Sequence, residues 1–92
     1  MTEKQSLLLV DDEPTNLRVL RTVLQEQYRL LFAKSGEEAL QLVQKEQPDL
    51  ILLDVMMPGL TGFDVCARLK ANPVTSAIPV IFVTALKDEM DE

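Results

Sequence analysis

This sequence has no histidine and no tryptophan, and it contains a single cysteine among its 92 residues. Without histidine, a histidine general base, a Ser-His-Asp triad and a histidine-ligated zinc site are all excluded. The lone thiol, Cys66, forms no disulfide within the chain, which favours a reducing, cytoplasmic location. No apolar run approaches the ~20 residues of a membrane-spanning helix, so no association with a membrane is expected.

Basic side chains are also scarce. Nine lysines and arginines stand against fifteen aspartates and glutamates, which gives a formal net charge of −6. Much of the acidity is concentrated at Asp11–Glu13, at Asp54 and in residues 88–92. The sequence shows no basic stripe of the kind that binds nucleic acid, so no direct contact with nucleic acid is expected.

Short apolar runs alternate with amphipathic segments, which predicts one small domain with the order βαβαβαβ. The predicted strands are Ser6–Val10, Tyr28–Ala33, Leu50–Asp54 and Pro79–Val83. The first predicted helix begins at Pro14, and the second runs from Gly36 to about Glu46. The third contains Val65 and Leu69 and lies before Asn72. Right-handed crossovers between parallel strands then imply an α/β fold with helices on both faces of the sheet.

Oxygen-bearing side chains follow three of these strands: Asp11 and Asp12 after the first, Asp54 at the end of the third, and Thr84 after the fourth. Parallel strands end at one edge of a sheet, so we expect these groups to lie close together. At ~5 Å and an effective dielectric of ~20, each pair of carboxylates repels by about 3 kcal/mol. Either one acid is protonated or a divalent cation is bound, and an all-oxygen set favours Mg²⁺ or Mn²⁺.

Each residue also has an ordinary structural interpretation. An aspartate at a strand end commonly forms a turn or caps a helix, and for Asp11 and Asp12 taken singly the pattern does not separate these roles from ligation. Asp54 does not precede an evident helix, which weakens the capping interpretation there. Thr84 alone is typical of a cap, and Cys66 is typical of a core residue. It is the occurrence of all these groups at strand ends that favours a functional site.

Three segments resemble motifs of the receiver domain of two-component response regulators. They are residues 7–14 (LLLVDDEP), residues 50–59 (LILLDVMMPG) with Gly62 after them, and residues 79–85 (PVIFVTA). The resemblance covers the whole chain, in order and with matching spacing. It implies a flavodoxin-like (CheY-like), doubly wound parallel sheet of strand order 2-1-3-4-5. It also implies a signalling module that assists its own phosphorylation and dephosphorylation and is not an enzyme in the usual sense.

The same resemblance implies roles for individual residues. Asp54 would accept a phosphoryl group, Asp12 would bind Mg²⁺ directly, and Asp11 would act mostly through water. The main-chain carbonyl of Met56 would complete the protein's share of the metal shell, and the Thr84 hydroxyl would turn toward the phosphoryl group. The implied donor is a sensor histidine kinase or a phosphotransfer protein. The implied recipient of the signal is a downstream output domain or effector.

This chain departs from the family pattern at its carboxyl end. The pattern continues with a helix, a fifth strand ending in a lysine, and a fifth helix, and this chain contains none of them. The resemblance therefore implies a single receiver domain over residues 1–92 that is incomplete, with Lys87 treated as a surface residue rather than a substitute for the family lysine. The apolar strand Val80–Val83 would then be an open sheet edge, which a second copy of the chain would cover by dimerising.

Two other functions are compatible with parts of the sequence. A receiver-like interaction module that is never phosphorylated fits the missing lysine, although the retained Asp11, Asp12 and Asp54 argue against it. An aspartyl-phosphate phosphatase of the haloacid dehalogenase type also uses an aspartate at a strand end with Mg²⁺. That class needs a second aspartate two residues later, where this chain has Met56.

Overall fold

The computed structural model describes residues 4–83, in which strands and helices alternate. The strands are β1 (Ser6–Val10), β2 (Arg29–Ala33), β3 (Leu50–Asp54) and β4 (Val80–Val83), and the helices are α1 (Pro14–Leu24), α2 (Gly36–Glu46) and α3 (Gly62–Ala71). The predicted order is confirmed, although β2 and β4 each begin one residue later than predicted. None of the helices in this part of the chain could cross a membrane.

All strand pairs in the described sheet are parallel, in the order β2-β1-β3-β4. The predicted order is therefore confirmed for these four strands. In the register, Val10 lies beside Ala33 on one side and Leu53 on the other. On the far side of β3, Asp54 lies beside Val83. The ends of β1 and β3 are thus at the same level on adjacent strands, and this arrangement brings Asp11 and Asp12 close to Asp54.

The two faces of the sheet bury separate apolar clusters. On one face, Leu7 and Leu9 pack with Leu17 of α1. On the other face, residues of β1 and β3 pack with α2 and α3, and this cluster includes Leu8, Val10, Ile51, Leu53, Ala39, Val43, Val65 and Leu69. Every residue of β1 is buried, which explains why its last four residues, Leu7–Val10, are continuously apolar rather than alternating.

Side-chain caps fix the starts of α2 and α3. The Ser35 hydroxyl accepts a hydrogen bond from the Glu38 N–H (3.1 Å), as the spacing of these residues predicts, and the Glu38 carboxylate accepts one from the Lys34 N–H (2.7 Å). Thr61 and Asp64 form a reciprocal capping box, with N···O distances of 3.2 and 3.0 Å. The second cap sets the residue at which α3 begins after the loop that follows β3.

The loop between α3 and β4 is anchored by a buried hydroxyl. Thr75 is 1% exposed, and its Oγ1 donates to the Leu69 carbonyl at 2.7 Å. We expect Thr75→Val to lower the free energy of unfolding by about 1–2 kcal/mol, because it removes a buried donor while keeping the side-chain shape. Urea denaturation measures this change.

A matched control for this substitution lies on α1. The Thr22 hydroxyl also donates to a main-chain carbonyl, that of Arg18 at 3.0 Å, but it does so on the exposed surface. Thr22→Val should change the free energy of unfolding by less than about 0.5 kcal/mol. Equal losses of unfolding free energy in the two variants would show that burial of the Thr75 hydroxyl does not determine its contribution to stability.

Candidate functional site

Three carboxylates meet at the carboxyl edge of the sheet. Asp11 and Asp12 follow β1, and Asp54 is the last residue of β3. One oxygen from each of the three side chains lies within 4.8 Å of the others. The structure therefore brings together the three aspartates that the sequence singles out. Thr84, the fourth residue predicted at this edge, lies outside the described residues.

Asp54 is the most enclosed of the three acids. It is 1% exposed, and its Oδ1 accepts a hydrogen bond from the Met56 N–H at 3.3 Å. The Met56 side chain points away from the core and is 66% exposed, whereas the next side chain, Met57, is buried. The loop after β3 thus turns its backbone, and not the Met56 side chain, toward the acid.

The first turn of α1 fixes the orientation of Asp11. Its Oδ1 accepts a hydrogen bond from the Glu13 N–H at 2.9 Å, and its Oδ2 accepts one from the Asn16 side-chain amide at 3.1 Å. Its own N–H donates to the Ala33 carbonyl at the end of β2. Both carboxylate oxygens of Asp11 are therefore already in contact with protein donors. The sequence did not reveal the contribution of Asn16, which in the helical pattern looks like any polar surface residue.

Gly62 allows α3 to begin directly against the backbone of Asp54. The Gly62 N–H donates to the Val55 carbonyl at 3.0 Å. A Cβ atom at position 62 would overlap the Asp54 carbonyl oxygen and would lie 2.9 Å from the Val55 Cα. The sequence shows Gly62 as part of a motif, but only the structure shows this close contact.

The donor set fits a hard divalent cation. Carboxylate oxygens are the ligands that Mg²⁺ prefers, and two oxygens on opposite sides of one Mg²⁺ lie about 4 Å apart. Since the three acids here span 4.8 Å, one of them needs a bridging water or a small rotation to share an ion. Both Asp11 oxygens already accept hydrogen bonds, one from the Glu13 N–H and one from the Asn16 side-chain amide.

Both the sequence and the backbone are similar to those of known proteins. The family model described as response regulator receiver domain matches residues 7–92. Response regulator PleD of Caulobacter vibrioides is 46% identical over 86 residues, which are 92% of this chain and 19% of PleD. Protein PilH of Pseudomonas aeruginosa is 40% identical over 87 residues, which are 94% of this chain and 72% of PilH.

A solved structure supports the same comparison. The N-terminal domain of a response regulator receiver protein from Methanoculleus marisnigri has a TM-score of 0.84 and 40% identity, over 87% of this chain and 66% of that one. The chain thus spans most of PilH but less than a fifth of PleD. The similarity therefore concerns one domain and does not extend to the rest of the longer relatives.

Proposed function

This chain belongs to the response regulator receiver domain family, and on that premise we propose that Asp54 accepts a phosphoryl group from a histidine kinase in a Mg²⁺-dependent reaction. The observation that carries the proposal is the buried Asp54 carboxylate within 4.8 Å of the carboxylates of Asp11 and Asp12. Phosphorylation then switches a downstream output domain or effector through the added negative charge.

The proposed metal site uses the carboxylates of Asp12 and Asp54 directly, Asp11 through water, and the main-chain carbonyl of Met56. A bound Mg²⁺ supplies positive charge that offsets the charge on the transferred group. The three aspartates contribute three negative charges in a small volume, so their mutual repulsion also favours a cation. Asn16 and the Glu13 N–H hold Asp11 in place, so the site is oriented before an ion arrives.

In the proposed reaction, an oxygen of Asp54 attacks the phosphorus atom of a phosphohistidine on the partner, in line with the bond to be broken. The P–N bond breaks, the histidine nitrogen of the partner leaves with the electron pair, and a mixed anhydride forms on Asp54. The Asp54 carboxylate is held at the end of β3 by strand pairing and by the Met56 N–H. We further propose that the Thr84 hydroxyl then donates to the phosphoryl oxygens.

The proposal is tested by incubating the protein with acetyl phosphate or phosphoramidate, with and without Mg²⁺, and measuring its intact mass. We expect one phosphoryl group to be added in Mg²⁺ and none after the metal is chelated. Because these small donors replace the kinase, the test does not depend on knowing the partner. Absence of labelling at every Mg²⁺ concentration would contradict the proposal and would favour the interaction module that is never phosphorylated.

Removing the charge of Asp12 should weaken metal binding. We expect Asp12→Asn to lower the affinity for Mg²⁺ by at least about tenfold, since even outer-shell changes at metal sites cost 10–100-fold. Calorimetric titration with Mg²⁺ measures the affinity. Asp49→Asn is the matched control, because Asp49 precedes β3 at the opposite edge of the sheet, where it accepts a hydrogen bond from the Ser6 N–H. Equal loss of affinity in both variants would mean that Mg²⁺ binding depends on the net charge of the protein and not on the position of Asp12.

A further inference from the structure

A shallow basic cavity, largely open to solvent, lies beside the same helix whose first turn orients Asp11. Its volume is about 230 Å³, and it is lined by Pro14, Leu17, Arg18, Arg21, Phe32 and Lys34. Three of these six side chains are cationic and none is acidic, although the chain as a whole has a net charge of −6. The cavity therefore concentrates positive charge on a protein that is otherwise acidic.

Two of the three apolar residues that line this cavity, Leu17 and Phe32, belong to the folded core. Leu17 is 6% exposed, and Phe32 packs against the same cluster on the α1 face of the sheet. Pro14, Leu17 and Arg21 follow one another at helical spacing, so they lie on one face of α1. Because core packing holds Leu17 and Phe32 in place, this part of the cavity is formed before any ligand arrives.

The cationic part of the cavity is available to a ligand. The side chains of Arg18, Arg21 and Lys34 belong to exposed residues. Within residues 4–83, none of these three forms an ion pair. Arginine guanidinium groups present paired donors that match carboxylate and phosphate oxygens. The rim thus provides charge complementary to an anion at the edge of an apolar floor.

We propose that this cavity binds a small organic anion, in which a carboxylate or phosphate group is attached to an apolar body about the size of one ring. The three cations select the charged group, and the floor formed by Pro14, Leu17 and Phe32 selects the apolar body. The volume of about 230 Å³ lies below the ~300–1,000 Å³ of sites for drug-sized molecules, which sets the size of the ligand. The site is separate from Asp54, and it does not depend on phosphoryl transfer.

Phenylphosphonate is a suitable probe, because it combines a ring with a phosphonate that cannot be transferred to Asp54. In Mg²⁺-free buffer, titration followed by amide chemical shifts should give saturable changes centred on the five lining residues other than Pro14, which has no amide proton. Inorganic phosphate lacks the ring and benzyl alcohol lacks the charge. Each should bind about tenfold more weakly than phenylphosphonate, since each loses one of the two recognition elements.

Variants of exposed cations separate recognition at the cavity from general charge effects. Arg21→Gln and Lys34→Gln should each weaken binding of phenylphosphonate by about fivefold to tenfold. Lys45→Gln removes the same charge from the exposed surface of α2 and should leave the affinity unchanged. Equal effects of all three substitutions, or equal affinities for phenylphosphonate and inorganic phosphate, would overturn the proposal.

The same titration on the Asp54→Asn protein keeps this inference distinct from the proposed function. Binding should be unchanged, because no lining residue of the cavity is part of the acidic site. Chemical shifts centred on Asp11, Asp12 and position 54 would instead place the anion at the acidic site and would refute the cavity as its binding site.

Discussion

Asp54→Asn is expected to abolish phosphoryl incorporation from acetyl phosphate in Mg²⁺. The substitution keeps the size and shape of a side chain that is 1% exposed, so the packing at the end of β3 is preserved. It replaces a carboxylate nucleophile by an amide oxygen, which cannot form the mixed anhydride. Intact-mass measurement after incubation gives the result directly, and far-UV circular dichroism confirms that the fold is retained.

The same variant has a second expected effect that does not depend on phosphoryl transfer. The carboxylates of Asp11, Asp12 and Asp54 lie within 4.8 Å of one another. At an effective dielectric of ~20, each such pair repels by about 3 kcal/mol. Removing one charge should therefore raise the urea midpoint of unfolding in Mg²⁺-free buffer. The difference from the original protein should shrink when Mg²⁺ is added, because the ion stabilises the original protein.

Asp49→Asn provides the control for both measurements, since it makes the same chemical change at the other edge of the sheet. It should be labelled as fast as the original protein and should gain no stability. If Asp54→Asn is labelled as well as the original, Asp54 is not the acceptor. If the urea midpoint of Asp54→Asn equals that of the original protein both with and without Mg²⁺, the three acids do not act as one electrostatic unit.

Gly62→Ala is expected to lower the free energy of unfolding by about 2–3 kcal/mol. The added methyl group would overlap the Asp54 carbonyl oxygen and press on the Val55 Cα at 2.9 Å. Both obstacles are backbone atoms of a strand end, so they cannot move aside as a flexible side chain would. Either α3 or the end of β3 must shift, and phosphoryl incorporation should fall along with stability. Urea denaturation and intact-mass labelling measure the two effects.

Gly59→Ala separates backbone strain from lack of space. Gly59 has a φ of +77°, a conformation that costs a residue with a Cβ about 1–2 kcal/mol, yet a Cβ there would have no neighbour within 4 Å. Gly62 has the opposite combination, with an ordinary φ and no room. Gly59→Ala should therefore cost stability without slowing phosphoryl incorporation. A Gly62→Ala protein that loses no more stability than Gly59→Ala and is labelled normally would contradict the close-contact argument.

Most of the architecture could be predicted from the sequence because its local signals agree with one another. The continuous apolar run at Leu7–Val10 is what a strand covered on both faces requires, and the structure places this strand between two others. The capping spacing of Ser35 and Glu38 predicted the first residue of α2. The convergence of Asp11 and Asp54 followed from the rule that parallel strands end at one edge.

The residues that support the site could not be found in this way, because their roles arise from contacts between elements. Asn16 looks like a polar residue on a helix surface until α1 is placed against Asp11. Gly62 looks like a weak helix former until α3 is placed against β3. The hydroxyl of Thr75 lies in a segment with no periodic pattern, and only the folded loop shows that it is buried.

The pairing of β1 with β3 has a consequence for folding of the protein during its synthesis on the ribosome. Leu7 pairs with Leu50, so the amino-terminal strand is made long before its neighbour. At ~5–20 residues per second, translation of the intervening stretch takes about 2–9 s. Throughout that interval the leucine-rich strand β1 lacks its later partner β3. The acidic pocket can therefore assemble only after β3 has left the exit tunnel.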